Sequence, residues 1–305
     1  MSGNDEADED GDWFEQAVGE ETDPADGEHA DDAGAAGFEA EMDAAEPDEE
    51  LFEEDFASAF GDETAAFEEE SYESDIPRLE FGIEGLDDMI QGGIPERHLI
   101  TAVGGAGSGK TTFGLQFLHH GLQHGQKGVL ISLEQSYQSI MDTANQWGWD
   151  FQAFEAEDEL AVVDLDPVEM ANSLDNIRVE LPELITDFGA DRLVLDSVSL
   201  LEMMYDEQAR RRTEVYDFTR SLKDAGVTTF LTSEANEGNP YASRHGIIEY
   251  LTDAVFVLQF VRGESRETRL AVEIVKIRNA NHSRETKPYE ITGDGISVYQ
   301  QANIF

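Results

Sequence analysis

Residues 98–112 read His98-Leu99-Ile100-Thr101-Ala102-Val103-Gly104-Gly105-Ala106-Gly107-Ser108-Gly109-Lys110-Thr111-Thr112. An apolar run of strand length passes into Gly104–Thr111, which fits G-x-x-x-x-G-K-[ST] in full, and an amphipathic stretch follows. The chemistry demands these residue types. Glycines let successive backbone N–H groups curl around phosphate oxygens with no Cβ in the way. A helix that starts there aims the positive end of its dipole at the same anion. Lys110 is expected to bridge the β- and γ-phosphates of ATP, and Thr111 to offer its hydroxyl to Mg2+. Gly104, Gly105, Ala106, Gly107, Ser108, Gly109, Lys110, Thr111 and Thr112 therefore form the expected ATP-binding segment. The plain alternative is a glycine-rich strand-to-helix turn without a ligand.

Working outward, strand-length apolar runs at 98–103, 128–133, 160–164, 192–196 and 227–232 alternate with helical stretches at 111–124, 136–147, 173–188 and 207–225. That alternation predicts an α/β fold: a mostly parallel central sheet with helices on both faces. Residues 254–261, 269–277 and 288–299 read as three further strands, suited to antiparallel addition at a sheet edge. No internal repeat is visible. Leu193-Val194-Leu195-Asp196-Ser197 is an apolar strand ending in an acid, and Asp196 is expected to hold Mg2+ through water. Glu134 ends the preceding apolar run at the same side of the sheet. It is placed to polarise a water for in-line attack. Its alternative reading is an acid at the start of the next helix, stabilising that helix dipole.

The acid is unevenly spread. The chain has 305 residues and a formal net charge of −49. Residues 1–75 hold 31 Asp or Glu and no Lys or Arg, leaving 37 acids against 19 cations beyond them. The first segment is too acidic to bury a core that offsets its chain entropy, so a tail over 1–75 and a folded domain over 76–305 are expected. Trp13, Phe14, Leu51, Phe52, Phe56, Phe60 and Phe67 punctuate the tail. They fit either a segment that orders on a protein partner or incidental aromatics in a solvated tail. Only 5 of the 19 cations are lysines. An acid-rich, lysine-poor surface suits molar salt, where the screening length is about 3 Å, so a halophilic host is expected. There is no Cys, no long apolar run and no basic-apolar leader, which points to a cytoplasmic protein without disulfides. The acidity disfavours a broad electrostatic grip on DNA or on an anionic membrane.

Several segments together resemble the KaiC family of ATPases in the RecA superfamily, and its single-domain archaeal members in particular. They are Phe81-Gly82-Ile83-Glu84-Gly85-Leu86-Asp87 with Gly92-Gly93-Ile94-Pro95, the phosphate motif, Gly148-Trp149-Asp150, and Lys276-Ile277-Arg278 followed by His282. The resemblance runs from about Ile76 to Tyr299. It implies a RecA-like P-loop NTPase core and a homo-oligomer, usually a hexameric ring, with the nucleotide between subunits. It further implies that Lys276 and Arg278 reach a neighbour's γ-phosphate and that His282 lies near that nucleotide. The alternative for the two cations is exposed charge on an edge strand. Three departures stand out. The chain has room for one such domain where the clock protein has two, and Glu134 is followed by Gln135 where paired glutamates are common. The positions matching the clock protein's phosphorylated Ser-Thr pair are Glu249-Tyr250, so autokinase activity is not expected.

The reading is a Mg2+-dependent ATPase acting as an oligomeric regulatory switch. Two alternatives stay beside it: a DNA-binding recombination accessory, and a nucleotide-gated scaffold with little turnover. Arg210-Arg211-Arg212 would serve DNA or subunit contacts, or else salt-bridge to nearby acids. Thr232-Ser233-Glu234 would sense the γ-phosphate or simply end a strand. His120 and His124 could pair on a metal, although a solvated helix face fits them better.

Overall fold

The computed structural model describes residues 76–262 and 268–300. The expectations about residues 1–75 and their aromatics lie outside the described residues. The described chain opens with β1 (Arg78–Leu79), α1 (Glu84–Ile90) and β2 (Ile94–Pro95), and β1 pairs antiparallel with β2. Asp87 fixes this opening. Its carboxylate accepts from the N–H groups of Phe81, Gly82 and Ile83 at 2.6, 2.9 and 3.0 Å, satisfying three donors at once.

Next come β3 (Leu99–Gly104), α2 (Lys110–Gln123), β4 (Gly128–Ser132), α3 (Tyr137–Gln146), α4 (Phe151–Ala156) and β5 (Leu160–Asp164). They are followed by α5 (Pro167–Asn172), α6 (Leu174–Phe188), β6 (Arg192–Asp196), α7 (Val198–Met203), α8 (Gln208–Asp224) and β7 (Thr228–Asn236). The chain continues with β8 (Asn239–Ser243), α9 (Ile248–Leu251), β9 (Ala254–Arg262), β10 (Thr268–Ile277), β11 (Lys287–Thr292) and β12 (Gly295–Val298). The main sheet runs β12-β11-β10-β9-β3-β7-β6-β4-β5, with β8 paired to β7. From β9 to β5 every neighbour is parallel, whereas β9 to β12 are joined antiparallel. This is the predicted α/β architecture.

Alternation of side chains along each strand explains why both faces are covered. Leu130, Val194 and Phe230 face α2 through Phe113, Phe117 and Leu118. Their strand neighbours Val129, Leu193, Leu195 and Leu231 face α6 and α8 through Ile177, Leu181, Phe218 and Leu222. Phe81, fully buried, sits within an aromatic cluster. Its ring centroid lies 5.0 Å from Phe117, 5.3 Å from Phe230 and 5.7 Å from Phe256.

Two expectations need correction. The segment 288–299, read as one strand, is a hairpin of β11 and β12 in which Tyr289 pairs with Val298 and Thr292 with Gly295. Gly293-Asp294-Gly295 makes the reversal, and Gly295 adopts φ +109°, a value that suits a residue without Cβ. The strand read as ending at Thr232 continues to Asn236, because β8 folds back and pairs with its polar end.

Candidate functional site

The glycine-rich loop joins the carboxyl end of β3 to the start of α2. Gly107 and Gly109 take φ +78° and +82°, conformations that side chains resist. The Ser108 hydroxyl donates to the Gly105 carbonyl at 2.8 Å, and the Tyr289 hydroxyl donates to the Ser108 carbonyl from β11. Ala106 is exposed at the tip and Thr112 is buried on α2. Lys110 Nζ donates to the carbonyls of Gly104 and Gly105 at 2.9 and 3.1 Å, so it lies folded across the loop.

Parallel register gathers the remaining groups. Gly104 is level with Glu234, Leu195 with Leu231, and Ser132 with Asp196, so these strands end together beside the loop. Asp196 is buried and accepts from Thr111 Oγ1 at 2.7 Å; Thr232 donates to its other oxygen. Thr111 and Asp196 are thus two oxygen ligands of the kind Mg2+ takes, already side by side. Glu134 lies in the bend after β4. The first turn of α3 contains no acid and its cap is Ser136, which puts Glu134 two residues ahead of the cap. Burial, then the charge of Asp196, raises the Glu134 carboxyl above the ordinary carboxylate range, with Lys110 pulling the other way and Glu234 adding to the rise. Lys110 is lowered by burial, against the pull of Glu134, Asp196 and Glu234. Lys110, Thr111, Asp196 and Glu134 therefore share one cleft.

Lys276, Arg278 and His282 lie elsewhere. Lys276 is level with Val255, and Val255 with Thr101, which puts it toward the amino end of β3. Its ammonium donates to the Thr252 carbonyl at 2.7 Å. Burial, then Arg278, lowers its pKa. Arg278 donates to Asp253 at 2.9 Å, and His282 Nδ1 lies 2.9 Å from the Ser283 carbonyl. None of the three is brought to its own phosphate loop.

Sequence reasoning missed the supports of this cleft. Ser199, on α7, accepts from the Glu234 N–H at 2.8 Å and lies 3.2 Å from the Ser233 hydroxyl. Tyr289 reaches the loop from 181 residues away, a distance over which no local pattern could announce it. The weaker features read plainly. Arg211 is spent on the carbonyls of Glu202 and Tyr205, and Arg210 pairs with Glu214 at 3.6 Å. His124 bonds the carbonyl of His120, and among the described residues no cluster of three or more metal-binding side chains exists. Among the described residues, too, no helix is long and apolar enough to cross a membrane.

Comparison with known proteins bears on the family and the fold. The family model described as "ATPase: KaiC" matches residues 79–303. The circadian clock oscillator protein KaiC of Prochlorococcus marinus is 34% identical over 231 residues, covering 73% of this chain and 46% of that protein. KaiC of Parathermosynechococcus lividus is 32% identical over 232 residues, covering 73% of this chain and 42% of that protein. The chain therefore spans less than half the length of these curated relatives. Among solved structures, the KaiC-like protein PH0186 from the hyperthermophilic archaeon Pyrococcus horikoshii OT3 aligns with a TM-score of 0.66 and 34% identity. That alignment covers 73% of this chain and 99% of the archaeal one. A phosphate loop backed by Asp196 on a mostly parallel sheet, together with these matches, establishes that the chain belongs to the KaiC family of RecA-superfamily ATPases.

Proposed function

We propose that this chain hydrolyses ATP with Mg2+ and works as an oligomeric nucleotide switch. The carrying observation is the meeting of Lys110, Thr111, Asp196 and Glu134 beyond the carboxyl ends of β3, β6 and β4. In this reading the loop amides from Gly105 to Thr112 hold the β- and γ-phosphates. Lys110 leaves the two loop carbonyls to which it now donates and binds the phosphates instead. Thr111 and Asp196 would hold Mg2+, which when bound neutralises charge building on the phosphate oxygens. Glu134, its proton affinity raised yet free to accept from water, orients the attacking water. Thr232 keeps Asp196 aimed at the loop by its hydrogen bond.

Lys276 and Arg278 would act on the nucleotide of an adjacent copy, with His282 beside it. Such cations stabilise charge only when a second subunit is docked, which ties turnover to assembly. The DNA-accessory alternative loses support, because Arg211, the middle of the three clustered arginines, is held by backbone carbonyls within the fold. The test is phosphate release in high salt by wild type and Glu134→Gln, with ATP binding by Lys110→Ala measured alongside. Release is expected to fall by about 10²–10⁴ in Glu134→Gln while ATP binding persists. Equal rates in the two proteins would remove the catalytic reading, and undiminished binding by Lys110→Ala would remove the phosphate site.

A further inference from the structure

Behind the cleft, a buried polar cluster lies among α7, α8, β8 and α9. Glu202 on α7 is 0% exposed, and neither of its carboxyl oxygens has a hydrogen-bond partner. An ionised carboxylate left so would cost several kcal/mol, so something must neutralise it. Among the described residues no group of three or more metal-binding side chains exists to hold a cation. The foremost charge acting on Glu202 is Glu249 of α9, a like charge, followed by Arg211 of α8 and Arg244 after β8. Each arginine is otherwise engaged. Arg211 donates to the carbonyls of Glu202 and Tyr205 and meets His245 at 3.3 Å. Arg244 is paired with Glu234 at 2.8 Å. Glu249 accepts from the Ser243 hydroxyl at 2.5 Å. Glu169, the acid of helix α5 that packs on α7, is exposed.

We propose that Glu202, set against Glu249, is a buried proton-binding site that makes the packing of α7 sensitive to pH. The proton sits on Glu202, while Glu249 keeps its bond to Ser243. Loss of that proton leaves a charge at a fully buried carboxyl without a hydrogen-bond partner, and α7 must shift or admit water. The shift has two places to be felt. Through Ser199, α7 holds the N–H of Glu234 at the phosphate cleft. Through Glu249 the cluster acts on Lys276, whose ammonium feels that carboxylate. This second consequence, a change in turnover, rests on the ATPase reading above; the proton site itself does not.

Burial, then the charge of Glu249, pushes the Glu202 carboxyl up to about 7. The folded chain thus holds that proton on the order of a hundredfold more tightly than an unfolded one. The stability gained is full below the ordinary glutamate pKa and is lost as pH rises through the folded value. The experiment follows thermal unfolding of the full chain without nucleotide, at constant high salt, from about pH 5 to about pH 8. The wild-type midpoint is expected to fall relative to that of Glu202→Gln as pH rises, and turnover with Mg·ATP should show the same transition. Parallel curves for the two proteins would overturn the proposal. Should Glu202→Gln not fold, Glu249→Gln decides: removing the like charge must move the wild-type transition to lower pH, and an unmoved transition overturns the assignment. Because unfolding is read without ATP, a chain that never hydrolyses ATP would fail the ATPase reading and leave this measurement standing.

Discussion

If Lys276 serves a neighbour, two inactive variants should rescue one another when mixed. The ammonium of Lys276 is bonded at Thr252, two residues before Ala254, and Ala254 is level with Ile100. Gly104 lies four residues further along β3, so about six strand rises, or about 20 Å, separate that ammonium from its own phosphate loop. No lysine rotamer spans this. Glu134→Gln disables the site that holds the nucleotide, by about 10²–10⁴. Lys276→Ala disables what is donated to the next copy; a cation supplied in trans is worth about 10³–10⁵ where it has been measured. In a ring built head to tail from an equal mixture, a site works only when its nucleotide side comes from the Lys276→Ala parent and its donated cation from the Glu134→Gln parent. Random order gives such sites about one quarter of the time. The mixture, co-assembled with Mg·ATP, is therefore expected to release phosphate at about a quarter of the wild-type rate, far above either parent. Mixed activity no greater than the mean of the two parents would refute the reasoning, because it would leave Lys276 without a nucleotide to act on.

Three further outcomes follow from the described contacts. Phe81→Ala empties the centre of the aromatic cluster and should cost about 3–5 kcal/mol in denaturant unfolding; a loss below about 1 kcal/mol would mean the cluster closes over the gap. Thr111→Val keeps the shape but removes the hydroxyl beside Asp196, so the Mg2+ needed for half-maximal phosphate release should rise by about tenfold or more, and an unchanged titration would exclude Thr111 as a ligand. A chain lacking residues 1–75 should bind ATP as the whole chain does, measured by calorimetry; lost binding would contradict the boundary placed at Ile76.

What the sequence disclosed and what it withheld divide along a physical line. The loop from Gly104 to Thr111 was legible because its constraints are contiguous: positive φ at two glycines, amides in succession, one cation, one hydroxyl. Asp196 was legible only beside the loop: an acid ending a buried strand is a weak sign alone, and its place two strands and about 85 residues after Lys110 gave it meaning. Glu134 could be placed at its strand end, but spacing along the chain does not choose between a base and a helix-start acid. The antiparallel addition is legible, but its last hairpin reads as one strand, because the Gly293-Asp294-Gly295 turn is short. Tyr289, Ser199 and the enclosed Glu202 were beyond reach. Their meaning comes from partners brought in by β11, β7 and α9, and no spacing along the chain encodes those encounters.

The hydroxyl of Tyr289 on the Ser108 carbonyl has a mechanical corollary. Tyr289 is level with Leu270 on β10, and β10 is the strand that carries Lys276. Only one hydrogen-bonded strand, β11, therefore stands between the loop and the strand that carries Lys276. A displacement of the loop on filling or emptying would reach that strand as it would the short arm of a lever. In a closed ring, each occupied seat would thus trim the reach of the hand held out to the next.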